Sequence, residues 1–154
     1  MIRRFKKITA GIVLATFAMS TVILSLPSGA YAADELPEVV ISQPTNGLYI
    51  SDHGKLIVQG IASDDNAVTK VDLQMLNVDT GKYWSEAVSN WVDSETNHTI
   101  ANPPMYWSID LDPVIDNGHR YTLKAIATDN SSQTNETFVS LVGDTEAPAI
   151  AVTS

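Results

Sequence analysis

The sequence contains no cysteine. This excludes a thiol nucleophile, a thiolate metal site and any disulfide framework. The Gly-x-Ser-x-Gly and His-Glu-x-x-His motifs are also missing. The sequence does not exclude a Ser-His-Asp triad or a pair of catalytic carboxylates, because these groups need only lie close together in space. The three histidines, His53, His98 and His119, lie in or beside predicted loops. We interpret these as loop histidines and predict a chain without catalytic activity.

Basic residues are scarce: nine Lys and Arg stand against 18 Asp and Glu. Four of the nine, Arg3, Arg4, Lys6 and Lys7, lie at the N-terminus. From residue 33 onward five basic residues face 18 acidic ones, a formal charge of −13. Such a surface repels phosphate backbones and anionic lipid, so we expect neither nucleic acid nor membrane as a partner.

The basic N-terminus precedes an apolar run, Ile8 to Leu26, and then Ala30-Tyr31-Ala32. This order predicts a helical signal peptide over residues 1–32, cleaved after Ala32. The alternative is an uncut membrane anchor, because about 17–25 apolar residues can span a bilayer. The first interpretation predicts a secreted or cell-surface protein.

After the leader no segment has a convincing helical period, and apolar residues alternate with polar ones instead. Period two is typical of half-buried strands. Turn formers such as Asn46-Gly47 and Asp116-Asn117-Gly118 separate the runs. The pattern predicts an antiparallel, Ig-like β-sandwich of about seven to eight strands over residues 36–143.

The alternation also assigns a core, with these residues on the apolar faces of their strands: Val58, Leu73, Trp107, Leu123 and Ala125. Tyr121 stands three residues after Gly118, where a sandwich places a tyrosine corner, and the alternative is an ordinary core tyrosine. The polar segment 82–104 carries two tryptophans. Since long structureless loops are uncommon, we expect short strands at Trp84 and Trp91.

The C-terminal "APAIAVTS" matches the domain's opening "LPEVVISQP": Pro148 aligns with Pro37, and Ile150 with Val39. We interpret 144–154 as a linker and the first strand of a following repeat. The alternative makes it the last strand of this domain.

Several stretches together resemble the bacterial Ig-like domains that occur in tandem in secreted and surface proteins. They are "PEVVISQPTNG", "VQGIASDDNAVTKVDLQM", "DTGKYW", "YWSIDLD", "GHRYTLKAIATDN" and "DTEAPAI". The resemblance covers nearly all of 36–154. Relatives read Asp-x-Ala-Gly-Asn where this chain has Asp129 followed by Asn-Ser-Ser-Gln.

The resemblance implies a spacer or adhesion module joined to neighbouring Ig-like domains, with a protein or glycan ligand that the sequence does not identify. The alternative is a carbohydrate-binding accessory module of a secreted hydrolase.

Two candidate sites follow from the residues. Ca²⁺ takes six to eight oxygen ligands, and candidates lie in two turns, with Asp64, Asp65 and Asp129, and separately in the linker, with Asp144 and Glu146. The alternative is that these residues only form turns.

The second candidate is an exposed aromatic platform for sugar rings, formed by Tyr83, Trp84 and Trp91 with Tyr106 near it. The alternative places both tryptophans in the core.

Overall fold

The structure is a computed structural model that describes residues 34–51 and 54–147. The predicted leader helix therefore lies outside the described residues. Those residues contain no helix and form ten strands. The strands are β1 Glu38–Gln43, β2 Leu48–Ile50, β3 Leu56–Ser63, β4 Val68–Asn77, β5 Lys82–Ser85, β6 Asn90–Val92, β7 His98–Ala101, β8 Tyr106–Leu111, β9 Arg120–Asp129 and β10 Thr134–Gly143.

The strands form two sheets, which confirms the predicted all-β sandwich. One sheet has the order β1-β3-β8, and the other has the order β2-β10-β9-β4-β5-β6, with β7 also paired to β4. The count exceeds the predicted seven to eight because two short strands, β2 and β7, were not predicted. The strands expected at Trp84 and Trp91 are present as β5 and β6.

The core lies between the sheets, and the predicted core residues are all buried in it: Val58, Leu73, Trp107, Leu123 and Ala125. The alternation places them there, since successive side chains of a strand point to opposite faces. The outer face of β4, opposite the core, carries Asp72 and Gln74, and both side chains are buried as well.

The segment from Asn97 through β7 covers that outer face. Asp72 accepts hydrogen bonds from Lys70 Nζ, at 2.7 Å, and from the Thr99 hydroxyl. Gln74 Nε2 donates to Asn97 Oδ1 at 2.7 Å. These bonds partly offset the cost of burying polar groups.

Trp107 lies over a glycine of the neighbouring strand. Gly60 and Trp107 are directly paired across β3 and β8. A Cβ built on Gly60 would lie 2.1 Å from Cζ2 of Trp107 and 2.2 Å from the Val40 carbonyl oxygen. The indole can therefore occupy the core only because residue 60 has no side chain.

The sandwich has two distinct ends. Asp34 contacts Gln133, next to the start of β10, and Asp144 follows the last residue of β10. A ten-residue strand is about 30 Å long at ~3.3 Å per residue. We call these the Asp34 end and the Asp144 end.

Candidate functional site

The tryptophans predicted for a sugar platform pack inward. Trp84 is 1% exposed, and Trp91 is partly buried against the core. Their rings meet edge to face with centroids 5.5 Å apart, and Trp91 stacks on Tyr121 at 5.5 Å. Both indole N–H groups donate within the chain, Trp84 to Glu86 Oε1 and Trp91 to the Val114 carbonyl, each at 2.8 Å.

The platform of Tyr83, Trp84 and Trp91 is thus not formed, and that prediction was wrong. Trp84 and Trp91 are directly paired across β5 and β6, so they share the core-facing side. Tyr83 precedes Trp84 and points to the opposite face, where its hydroxyl donates to Glu95. Tyr106 is exposed, but it lies in the other sheet.

Tyr121 makes the bond that defines a tyrosine corner. Its side chain is fully buried, and its hydroxyl oxygen accepts the backbone N–H of Asp116 at 2.8 Å. Burial is the main cause that raises the pKa of Tyr121. The predicted backbone bond is confirmed, and Tyr121 joins β9 to the loop before it.

The five candidate calcium ligands divide between the two ends. Asp64, Asp65 and Asp129 lie at the Asp34 end, because β3 and β9 finish there. Asp144 and Glu146 lie about 30 Å away, at the far end of β10. The candidates therefore form two separate clusters, and one cation cannot bind Asp129 together with Asp144 and Glu146.

Within residues 34–51 and 54–147, no three Asp, Glu or His side chains are grouped to hold a metal ion. The acidic side chains close turns instead. Asp64 Oδ2 accepts the N–H groups of Asn66 and Ala67, each at 3.0 Å. Glu146 Oε1 accepts Asn117 Nδ2 at 2.9 Å.

Asp129 closes the turn in which this chain lacks the glycine of its relatives. Its Oδ1 accepts the N–H groups of Ser131 and Gln133, both at 2.8 Å. Ser132, at the position of the missing glycine, has a φ of 69°. Ser132 therefore adopts the left-handed backbone conformation that the turn requires. The two hydrogen bonds to Asp129 offset the strain of a positive φ at a residue other than glycine.

The described histidines do not form a triad. His98 Nε2 lies 3.2 Å from the Trp84 carbonyl oxygen, and His119 Nδ1 lies 3.1 Å from Asn77 Nδ2 and 3.6 Å from Asp116 Oδ2.

A cavity of about 340 Å³ at the Asp34 end is acidic, lined by Glu35, Leu36, Glu38, Ser63, Asp64 and Asp65.

Two side-chain bridges, which the sequence did not reveal, fix the chain where it joins and leaves the sandwich. In the Asp34 bridge, Asp34 accepts Asn66 Nδ2 at 2.9 Å and Gln133 Nε2 at 2.7 Å. In the Asn117 bridge, Asn117 Oδ1 accepts the N–H of Thr145 and its Nδ2 donates to Glu146. Asn117 had a sequence signal only as a turn former, and Glu146 only as a candidate calcium ligand.

Acid should weaken the fold through two aspartates. Hydrogen bonds from the side chains of Ser131, Gln133 and Asn66 lower the pKa of Asp34. Hydrogen bonds from Arg120, the shortest at 2.7 Å, lower the pKa of Asp79. A pKa depressed on folding adds stability above the unfolded value, and that stability is lost as pH falls through the folded value.

We expect the melting temperature to fall below about pH 4, near the usual aspartate pKa. Asp34→Asn and Asp79→Asn should each reduce the fall between pH 4 and pH 2, as measured by circular dichroism. Asp65→Asn is the control, because it removes the same charge from an exposed side chain outside both interactions. Acid slopes identical to that of the wild type in both variants would contradict this prediction.

The comparison with protein families agrees with this architecture. The sequence profile of the family described as Bacterial Ig domain matches residues 37–125. The chain belongs to the bacterial Ig domain family. This bacterial Ig domain is also similar to a solved structure of fibronectin(III)-like modules of CbhA from Clostridium thermocellum, with 17% identity and a TM-score of 0.47.

That similarity covers 71% of this chain and 47% of the other. A search of curated proteins found no match. Domains of this family are generally non-catalytic and commonly occur in extracellular proteins. In the described residues of this bacterial Ig domain, no helix is long and apolar enough to cross a membrane.

Proposed function

We propose that this bacterial Ig domain is a non-enzymatic module of a secreted or cell-surface protein, in which it acts as a structural spacer between neighbouring Ig-like domains. The observation that carries the proposal is that the chain enters and leaves the sandwich at opposite ends. Modules linked in this way extend a protein by about 30 Å each, since the strands run along the axis between the two ends.

The two bridges support this role because they fix the chain at both ends. Asp34 connects the incoming chain to the β3–β4 and β9–β10 turns. Asn117 holds residues 145 and 146 against the β8–β9 turn. A linker held to its own domain leaves fewer orientations open to the domain that follows, so an array of such modules is stiffer than a chain of freely joined ones.

The net charge of residues 33–154 fits an extracellular surface. A formal charge of −13 keeps a domain soluble and discourages its self-association. A protein or glycan ligand of such a module would bind outside the tryptophan pair, because Trp84 is buried.

Secretion tests the proposal first. When the full chain is expressed in a bacterium, the exported protein should begin at Ala33, as read by N-terminal sequencing. Ala30→Arg and Ala32→Arg should each block processing, because signal peptidase requires small residues at these positions, whereas Tyr31→Phe should be processed normally. A protein retained in the membrane with Met1 in place would contradict the proposal.

The spacer role needs a second measurement. A tandem of two copies of residues 33–154 should have a maximum dimension in small-angle X-ray scattering close to twice that of one copy. A compact side-by-side arrangement would count against a spacer even if the protein is secreted.

A further inference from the structure

The outer face of the three-stranded sheet carries an exposed row of apolar side chains. Val40 of β1 is paired with Ile61 of β3, and Ile61 is paired with Tyr106 of β8. Val40 is 53% exposed and Tyr106 is 72% exposed, and Ile61 between them is partly exposed. Ala62 and Trp107, which follow two of these residues, are buried, so the row lies on the side away from the core. We call Val40, Ile61 and Tyr106 the apolar row.

The apolar row crosses all three strands of its sheet. Neighbouring strands lie about 4.8 Å apart, so the row is about 10 Å wide between the backbones of β1 and β8. Met105, the residue before β8, is also exposed and lies next to Tyr106 in the sequence. Adjoining apolar side chains on a protein surface commonly mark a contact with another protein, whereas single ones do not.

The acidic cavity at the Asp34 end adjoins the apolar row. Glu38 and Ser63, which line this cavity, are paired with each other, and each lies two residues along its strand from the row. Two residues of a strand span about 7 Å, so the row and the cavity share one face of the sheet. Glu35, Asp64 and Asp65 supply the other carboxylates of the cavity.

No basic side chain of the described residues balances these four carboxylates. Each of the five basic residues there forms an ion pair with an acidic residue outside the cavity. The pairs are Lys55 with Asp110, Lys70 with Asp72, Lys82 with Asp93, Arg120 with Asp79, and Lys124 with Glu136. A cationic group that approaches the Asp34 end is therefore attracted by charge that the domain itself does not neutralise.

We infer that the apolar row and the acidic cavity together form a docking surface, and that its partner is a protein segment in which apolar side chains alternate with Lys or Arg. The apolar side chains would cover Val40 and Tyr106, and tyrosine often carries a large share of the binding energy at such contacts. The cationic side chains would enter the cavity beside Glu38, where opposite charge speeds association and selects the partner.

A second copy of this domain does not fit this surface, because each copy carries a formal charge of −13 from residue 33 onward and the copies repel each other. The inference goes beyond the spacer role, since a spacer needs no ligand.

Titration of the chain from residue 33 to 154 with a short synthetic peptide of alternating valine and lysine tests the inference. Amide shifts in NMR spectra should change most at the apolar row and around the cavity. Two control peptides, one with serine in place of valine and one with glutamate in place of lysine, should each bind about tenfold more weakly or less. Equal binding of the serine peptide, or shift changes spread over both sheets, would overturn the inference.

Matched variants locate the contact. Tyr106→Ser should weaken binding of the valine-lysine peptide about tenfold, because it removes the most exposed member of the row. Phe138→Ser, which changes a similarly exposed aromatic residue on the other sheet, should leave the affinity unchanged. Equal losses of affinity in these two variants would show that the apolar row is not the docking surface.

A second pair of variants tests the acidic part. Glu38→Gln should make the affinity less dependent on salt, since salt screens the attraction between exposed charges. Asp144→Asn removes the same charge from an exposed position at the opposite end, so it should keep the salt dependence of the wild type. Salt dependences that are identical in both variants would exclude the cavity from the contact.

Analytical ultracentrifugation separates a foreign partner from a second copy. We expect a monomer without peptide, and a dimer that Tyr106→Ser dissociates would overturn the inference in favour of self-association. The spacer role would survive each of these negative results, because export and the length of a tandem are measured independently.

Discussion

Replacing Trp107 by alanine should lower the free energy of unfolding by about 3–5 kcal/mol, the usual cost of truncating a buried large aromatic residue. The side chain is 2% exposed, and it fills the space between β8 and Gly60. The alanine variant loses this burial and leaves a cavity that the sheets can close only in part. Urea denaturation followed by tryptophan fluorescence, which Trp84 and Trp91 still provide, measures the loss.

Two further variants make the test specific. Tyr106→Ala removes a neighbouring aromatic residue whose side chain is 72% exposed, so its cost should stay within about 0.5 kcal/mol. Trp107→Phe should cost less than Trp107→Ala, because the indole Nε1 has no hydrogen-bond partner in the described structure and only volume is lost. A loss below about 1 kcal/mol for Trp107→Ala would contradict the burial and packing assigned to this residue.

Gly60→Ala should destabilise the domain by about 3 kcal/mol, at the upper end of the usual cost of overpacking a core. The new Cβ meets the Trp107 ring at 2.1 Å and the Val40 carbonyl oxygen at 2.2 Å. The second contact is with backbone in β1, so a change of side-chain rotamer cannot relieve it. Gln59→Ala, at an exposed position of the same strand, is the control and should be nearly neutral.

The two substitutions should not be additive. In a Trp107→Ala background the ring contact at Gly60 disappears, while the contact with Val40 remains. Gly60→Ala should therefore cost less in that background, with a coupling energy of about 0.5–3 kcal/mol from a double-mutant cycle. Strict additivity would show that the glycine and the indole do not share this space.

The two bridges and the parallel strand pair all lie on the path of the chain into and out of the sandwich. Asp34 and Asn117 hold the chain at the two ends, and β2, which follows the first strand, pairs with β10, which precedes the outgoing chain.

The long strands could be predicted from the sequence, and so could the core-facing side of β3, β4, β8 and β9. Alternation along β4 and β9 placed Leu73 and Leu123 inside, and both are fully buried. The Gly118–Tyr121 spacing indicated a tyrosine corner, with an ordinary core tyrosine as the alternative, and the structure shows the corner's hydrogen bond. These features depend on neighbours in sequence, where the period of a strand and the geometry of a turn act directly.

Which further faces are covered, and which distant groups meet, depends on the tertiary structure. The sequence around Trp84 left both an exposed and a buried position open, and the packing of β5 and β6 places its side chain in the core. The acidic turns look alike in sequence, yet the length of β10 separates Asp129 from Asp144. Asp34 forms hydrogen bonds with Asn66 and Gln133, which follow it in the sequence by 32 and by 99 positions. Local periodicity carries no information on partners that are so far apart in the sequence.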